Sequence, residues 1–129
     1  MSRPLHFLLA IAILALFCAT SACTGGKVTQ GYTIETGGDP ARGAQLIKQF
    51  SCGACHVIPG IHGARGMVGP PLMYFGERTF IAGEVPNTPE NLVRWIEDPQ
   101  SIESGTAMPQ LGLTEQQSRD VAAYLYTLR

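Results

Sequence analysis

Apolar positions recur at helical spacing in three separated stretches of this chain, and turn-forming residues fill the segments between them. From Asp39 to Phe50, the residues Gly43, Ile47 and Phe50 fall on one face. Asp39 suits an N-cap and Pro40 the first helical position, so a helix is predicted to start there. Gly43 inside it costs about 1 kcal/mol against Ala, which marks a place where another helix backbone comes close. Thr88-Pro89 repeats the cap-then-proline signal, Leu92, Trp95 and Ile96 form the apolar face of a second helix, and Asp98-Pro99 stops it. Thr114, with Gln117 three residues on, makes a capping box for a last helix whose Val121, Tyr124, Leu125 and Leu128 face inward. Met73 to Phe75 is expected as a short helical turn. Residues 57–71, the stretch through Gly83 and Pro86, and Ser101 to Leu113 read as loops. No stretch alternates convincingly as a strand, so the predicted fold class is all-α, with three to five helices and long loops.

A different pattern occupies the N-terminus. Arg3 precedes a continuous apolar run from Phe7 to Ala19, short for a bilayer span of about 20 residues and suited to a signal-peptide core. The small residues Thr20, Ser21 and Ala22 then lead to Cys23, as in a bacterial lipobox, although Thr20 stands where Leu is usual. Three outcomes stay open: acylation of Cys23, ordinary cleavage after Ala22, or an uncleaved anchor. Each places the rest of the chain outside the cytoplasm. The expected organisation is therefore a signal at 1–22, an anchor cysteine and Gly/Thr-rich tether at 23–37, and a domain at 38–129. As a random coil such a tether spans about 20 Å, enough for the domain to swing between neighbours.

With 129 residues and a formal net charge of −1, the chain suits one modest domain and carries no polybasic nucleic-acid footprint. Its 15 Gly and 9 Pro are many for a helical protein and ask for something besides secondary structure to organise the loops. Cys52-Gly53-Ala54-Cys55-His56 supplies a candidate, because two thiols three apart followed by His form the attachment motif of a c-type haem. The thiols can add to the two vinyl groups on one porphyrin edge, which delivers the adjacent imidazole to the iron. A zinc site would need a second pair of soft ligands, and no Cys pair follows. A thioredoxin-like dithiol would want βαβ patterning, which is absent. With Cys18 in the signal and Cys23 at the anchor, no cysteine is left for a structural disulfide.

One His leaves the iron's other axial position to be assigned, and that choice sets the chemistry. A thioether there gives a closed iron with a raised potential; an open position gives a sensor or a peroxidase-like enzyme. The candidates are Met67, Met73, Met108 and His62. Met67 and His62 follow His56 closely, Met73 sits in what reads as short-helix packing, and Met108 lies in a long loop beside Pro109. Met108 is the expected ligand.

Taken together, Gly38-Asp39 with Gly43, the CGACH motif, Gly69-Pro70-Pro71-Leu72, Gly105-Thr106-Ala107-Met108 and the stretch Arg119 to Leu125 resemble a class I cytochrome c over residues 38–129. The resemblance implies the cytochrome c fold around one covalent haem, with His56 and Met108 as axial ligands. It implies further that the Pro70 carbonyl accepts a hydrogen bond from His56, that Arg78 lies near a haem propionate, and that Trp95 lines the methionine side. It also puts Gly43 and Tyr124 near a crossing of the first and last helices. The run from Asn87 to Pro99 resembles, more narrowly, cytochrome c domains appended to subunit II of haem–copper oxidases, here without the copper-binding part. The implied function is single-haem electron transfer on the periplasmic face of a bacterial membrane. Its expected partners are redox proteins, a haem–copper oxidase or a quinol/cytochrome complex among them. Beyond Ala22 there are eight basic residues (nine less Arg3) and ten acidic ones, so strong electrostatic steering onto an acidic partner is not expected.

Overall fold

A computed structural model describes residues 34–129. The signal, Cys23 and most of the tether expected from the sequence lie outside the described residues. Among those described, three α-helices carry the fold: α1 (Pro40–Gln49), α2 (Pro89–Glu97) and α3 (Glu115–Tyr126). No helix among them is long and apolar enough to cross a membrane.

Each helix begins where its capping chemistry starts it. The Asp39 carboxylate accepts from the Ala41 and Arg42 amides at 2.7 and 3.2 Å, and Pro40 leads α1. Thr88 Oγ1 accepts from the Asn91 amide at 3.3 Å ahead of α2. For α3 the box is reciprocal, with the Gln117 amide donating to Thr114 Oγ1 and the Thr114 amide donating to Gln117 Oε1.

α1 and α3 cross at Gly43, where an added Cβ would run into the Asp120 carbonyl and approach Tyr124 Cβ to 3.0 Å. The crossing is tied by Asp120, which is 3% exposed and accepts from Arg42 Nε at 2.9 Å, Arg42 Nη2 at 3.0 Å and the Asp39 amide at 2.7 Å. These donors, the Arg42 guanidinium first, hold its carboxyl down to about 2. Ahead of Gly38, Thr36 is buried, donates to the Arg119 carbonyl at 3.1 Å, and its own carbonyl accepts from Arg119 Nη1 at 3.0 Å. Residues 34–37, expected as the end of a tether, thus lie against α3.

Two features are additions to the all-α expectation. Phe80–Ile81 and Val85–Pro86 pair antiparallel in a small hairpin, too short for period-two alternation to register in the sequence. Its turn puts Ala82 and Gly83 at positive φ. The short helical turn expected at Met73–Phe75 forms instead at Phe75–Glu77, because Tyr74 takes a left-handed conformation that breaks the chain just ahead of it. The loop of residues 57–71 is anchored by burial of Ile58, Ile61 and Ala64. Asn87 braces the segment before α2. Its Nδ2 donates to the Phe75 and Arg78 carbonyls at 3.1 and 3.0 Å, and its Oδ1 accepts from the buried Tyr126 hydroxyl at 2.9 Å.

Candidate functional site

Ser51, at φ 56°, turns the chain out of α1 into the short helical turn Cys52–Ala54. The Cys55 and His56 amides then both donate to the Cys52 carbonyl, at 3.2 and 3.0 Å. Gly53 between the thiols is sterically required, since a Cβ there would sit 2.6 Å from Ala64 Cβ. Both thiols are half-buried and unpaired. Burial pushes the Cys52 thiol up, the reverse of what a dithiol needs to exchange readily. Among the described residues no group of three or more His, Cys, Asp or Glu side chains assembles, so no zinc ligand set forms around the pair.

The His56 ring is held from behind. Its Nδ1 lies 2.7 Å from the Pro70 carbonyl oxygen, an acceptor only, so Nδ1 carries the proton and donates. Nε2 is left with its lone pair, the tautomer a metal-ligating imidazole needs. Gly69 makes this contact possible, because any Cβ there would overlap the His56 ring. The Gly69 amide donates to the Cys55 carbonyl at 2.9 Å, which fixes the segment in place.

Cys52, Cys55 and His56 open onto one cavity of about 370 Å³, within the range of small-molecule and cofactor pockets. Ile47 of α1 and Phe50 at its C-cap, Leu92, Trp95 and Ile96 of α2, and Val121 and Leu125 of α3 form apolar walls. Met108 and Arg78 also line it. Of the four candidates for a second axial ligand, Met108 alone does so: Met67 is 89% exposed, Met73 is 41% exposed, and His62 is on the surface. Arg78 stands at the cavity with Nη2 donating to the Pro71 carbonyl and, at 3.3 Å, to the Met73 carbonyl; its guanidinium is 5.2 Å from the Phe75 ring centre.

The residues present fit a haem: an apolar cavity with two thiols, an imidazole whose Nδ1 is held by a carbonyl, and Met108 on its wall. A family profile for cytochrome c matches residues 40–129. The chain belongs to the cytochrome c family. Among its relatives, cytochrome c oxidase subunit 2 of Alkalihalophilus pseudofirmus is 39% identical over 89 residues, covering 68% of this chain and 25% of that protein. The same subunit of Bacillus subtilis is 35% identical, covering 64% and 24%. Cytochrome c2 of Rhodopila globiformis is 35% identical over 103 residues, covering 71% of this chain and 95% of that protein. The chain thus spans about a quarter of the oxidase subunits' length and nearly all of the cytochrome c2. Members of the family bind haem c covalently through cysteines, Cys52 and Cys55 fit that motif, and the domain is an electron carrier.

Two groups with roles near the site escape pattern reading. Phe75, buried beneath Arg78, and Gln100, whose amide holds the Met108 loop, sit in segments without periodicity.

Proposed function

We propose that this cytochrome c carries single electrons on the periplasmic face of a bacterial cytoplasmic membrane, held there through Cys23 and its tether, and delivers them to a haem–copper terminal oxidase. What carries the electron-transfer reading is that His56 and Met108 line one apolar cavity together with the two motif thiols. A haem bound there supplies a reversible one-electron change at its iron. Cys52 and Cys55 fix the group to the backbone. His56 Nε2, oriented by the Pro70 carbonyl, would be one ligand to its iron, and Met108 would be the other, a neutral thioether that favours the reduced state. Trp95 and the aliphatic walls exclude water, while Arg78 offers a positive charge to a propionate. The oxidase as acceptor rests on the relatives named as oxidase subunit 2.

Visible spectra of protein matured in a host with cytochrome c assembly machinery test this reading. Oxidised protein should show a far-red methionine–iron charge-transfer band, and reduced protein should not respond to carbon monoxide. Carbon monoxide binding without that band would mean a sensor or peroxidase-like protein instead. For the anchor, Cys23→Ser should move the protein from membranes to the soluble fraction, and unchanged retention would count against acylation.

A further inference from the structure

The segment that presents Met108 has little holding it. Gly105, Ala107 and Pro109 are exposed, and the Met108 amide reaches only Thr106 Oγ1 among its described partners, at 3.5 Å. Within the segment the Thr106 amide donates to the Glu103 carbonyl at 3.2 Å. Among the described residues, the hydrogen bonds that tie this stretch to the rest of the fold come from one side chain. Gln100 Oε1 accepts from the Gly105 amide at 2.9 Å, while its Nε2 donates to the Thr106 carbonyl at 2.9 Å and reaches the Met108 carbonyl at 3.4 Å.

Gln100 stands on firm ground. It follows the buried Pro99 in a short helical turn, Pro99–Ser101, built directly onto the end of α2. The Ile102 and Glu103 amides both donate to the Pro99 carbonyl, at 3.1 and 3.0 Å, and Ser101 Oγ donates to the Asp98 carbonyl at 2.7 Å.

We propose that Gln100 is a positioning residue for the Met108 thioether, its carboxamide clamping the 105–108 loop so that the sulfur stays turned into the haem cavity. The inference rests on Met108 being the second axial ligand. The chemistry selects a carboxamide, since one end of the clamp must accept from an amide while the other donates to carbonyls. Glu would set a second acceptor against two carbonyl oxygens, and Ala would leave the loop tied only by its own backbone. A thioether is a neutral, weak ligand, so the fraction of time the loop swings open decides how easily another ligand takes its place. Removal of the clamp should raise that fraction without emptying the site.

Imidazole titration of the ferric holoprotein, followed in the visible spectrum, measures that open fraction. Gln100→Ala and Gln100→Glu should each bind imidazole about tenfold more tightly than wild type, one hydrogen bond's worth of loop stability. Ser101→Ala, which cuts a bond on the same turn that does not touch the loop, should stay within about twofold. Met108→Ala should lose the far-red band and bind imidazole without competition. If both Gln100 variants match wild type while Met108→Ala opens the iron, the clamp is disproved and the ligand stands. If Ser101→Ala rises with them, the effect is general loosening and the positioning role is again disproved. If Met108→Ala keeps the band, the ligand assignment fails and the clamp falls with it.

Discussion

At the scale of single residues, the chemistry around His56 depends on what is missing as much as on what is present. Gly69 does not have a positive φ, so its reason for being glycine is space: the imidazole occupies the volume a Cβ would take. Gly69→Ala must therefore displace the ring or the Pro70 carbonyl behind it, and either movement weakens the 2.7 Å hydrogen bond that sets the tautomer. The expected result is holoprotein with a shifted reduction potential and faster displacement of the proposed iron ligands; Gly63→Ala, where space is open but φ is 80°, should cost stability through backbone strain and leave the potential unchanged. Redox titration of the two variants beside wild type checks the contrast. An unshifted Gly69→Ala potential would mean the ring tolerates the crowding. Of these contacts the sequence exposes the identities and hides the reasons. CGACH is legible because covalent attachment needs that spacing, and Gly69-Pro70-Pro71-Leu72 is recognisable only by resemblance. Gln100 gives no signal at all, since an exposed glutamine in a loop looks like any solvated polar residue until its three partners are seen.

Between elements, the α1–α3 crossing sets two energies against each other. Helix propensity favours Gly43→Ala by about 1 kcal/mol. Steric overlap with the Asp120 backbone opposes it, and backbone cannot swing aside as a side chain can. Overpacking of this kind costs about 1–3 kcal/mol or more, so the clash wins and the variant should melt lower, as calorimetry would show. Asp120 makes the same crossing pH-dependent. Its folded carboxyl is held at about 2 against an ordinary value of 3.8, so the unfolded chain binds the proton first as pH falls. The stabilisation is complete above about pH 5, declines as the pH falls through 3.8, and is lost by about 2. Asp120→Asn should cost about 1–3 kcal/mol at neutral pH and show a shallower loss between pH 5 and pH 2 by denaturant titration. A parallel acid profile would place the proton-linked stability elsewhere. The helices and their caps were legible in the sequence because Asp39, Thr88 and Thr114 act on amides two or three residues away. The hairpin and the register of the Phe75 turn were not, because they are fixed by Asn87 and Tyr126 across long sequence separations.

For the whole molecule, the distribution of charge bears on how an electron partner is found. Of the basic side chains among the described residues, Arg42 is committed to Asp120 and Arg119 to Glu115 and the Thr36 carbonyl. Arg78 is turned onto the backbone carbonyls of Pro71 and Met73 at the cavity. Acidic residues outnumber basic ones beyond Ala22, ten to eight, so the surface as a whole carries no net positive charge to steer an acidic partner. An encounter driven by such a surface is not accelerated by long-range attraction, whose signature is a steep fall of rate with salt. A short leash can replace it, because two proteins on one membrane meet at an effective concentration set by tether length. The second-order rate of electron transfer from the soluble, anchor-free domain to a membrane-bound haem–copper oxidase should accordingly change less than about threefold between 10 and 200 mM salt. The anchored form should turn over faster than the soluble form at equal total concentration, by a factor that salt leaves alone. A steep decline for the soluble domain would instead reveal a compact cationic face around the cavity mouth, and the tether would then be dispensable for encounter.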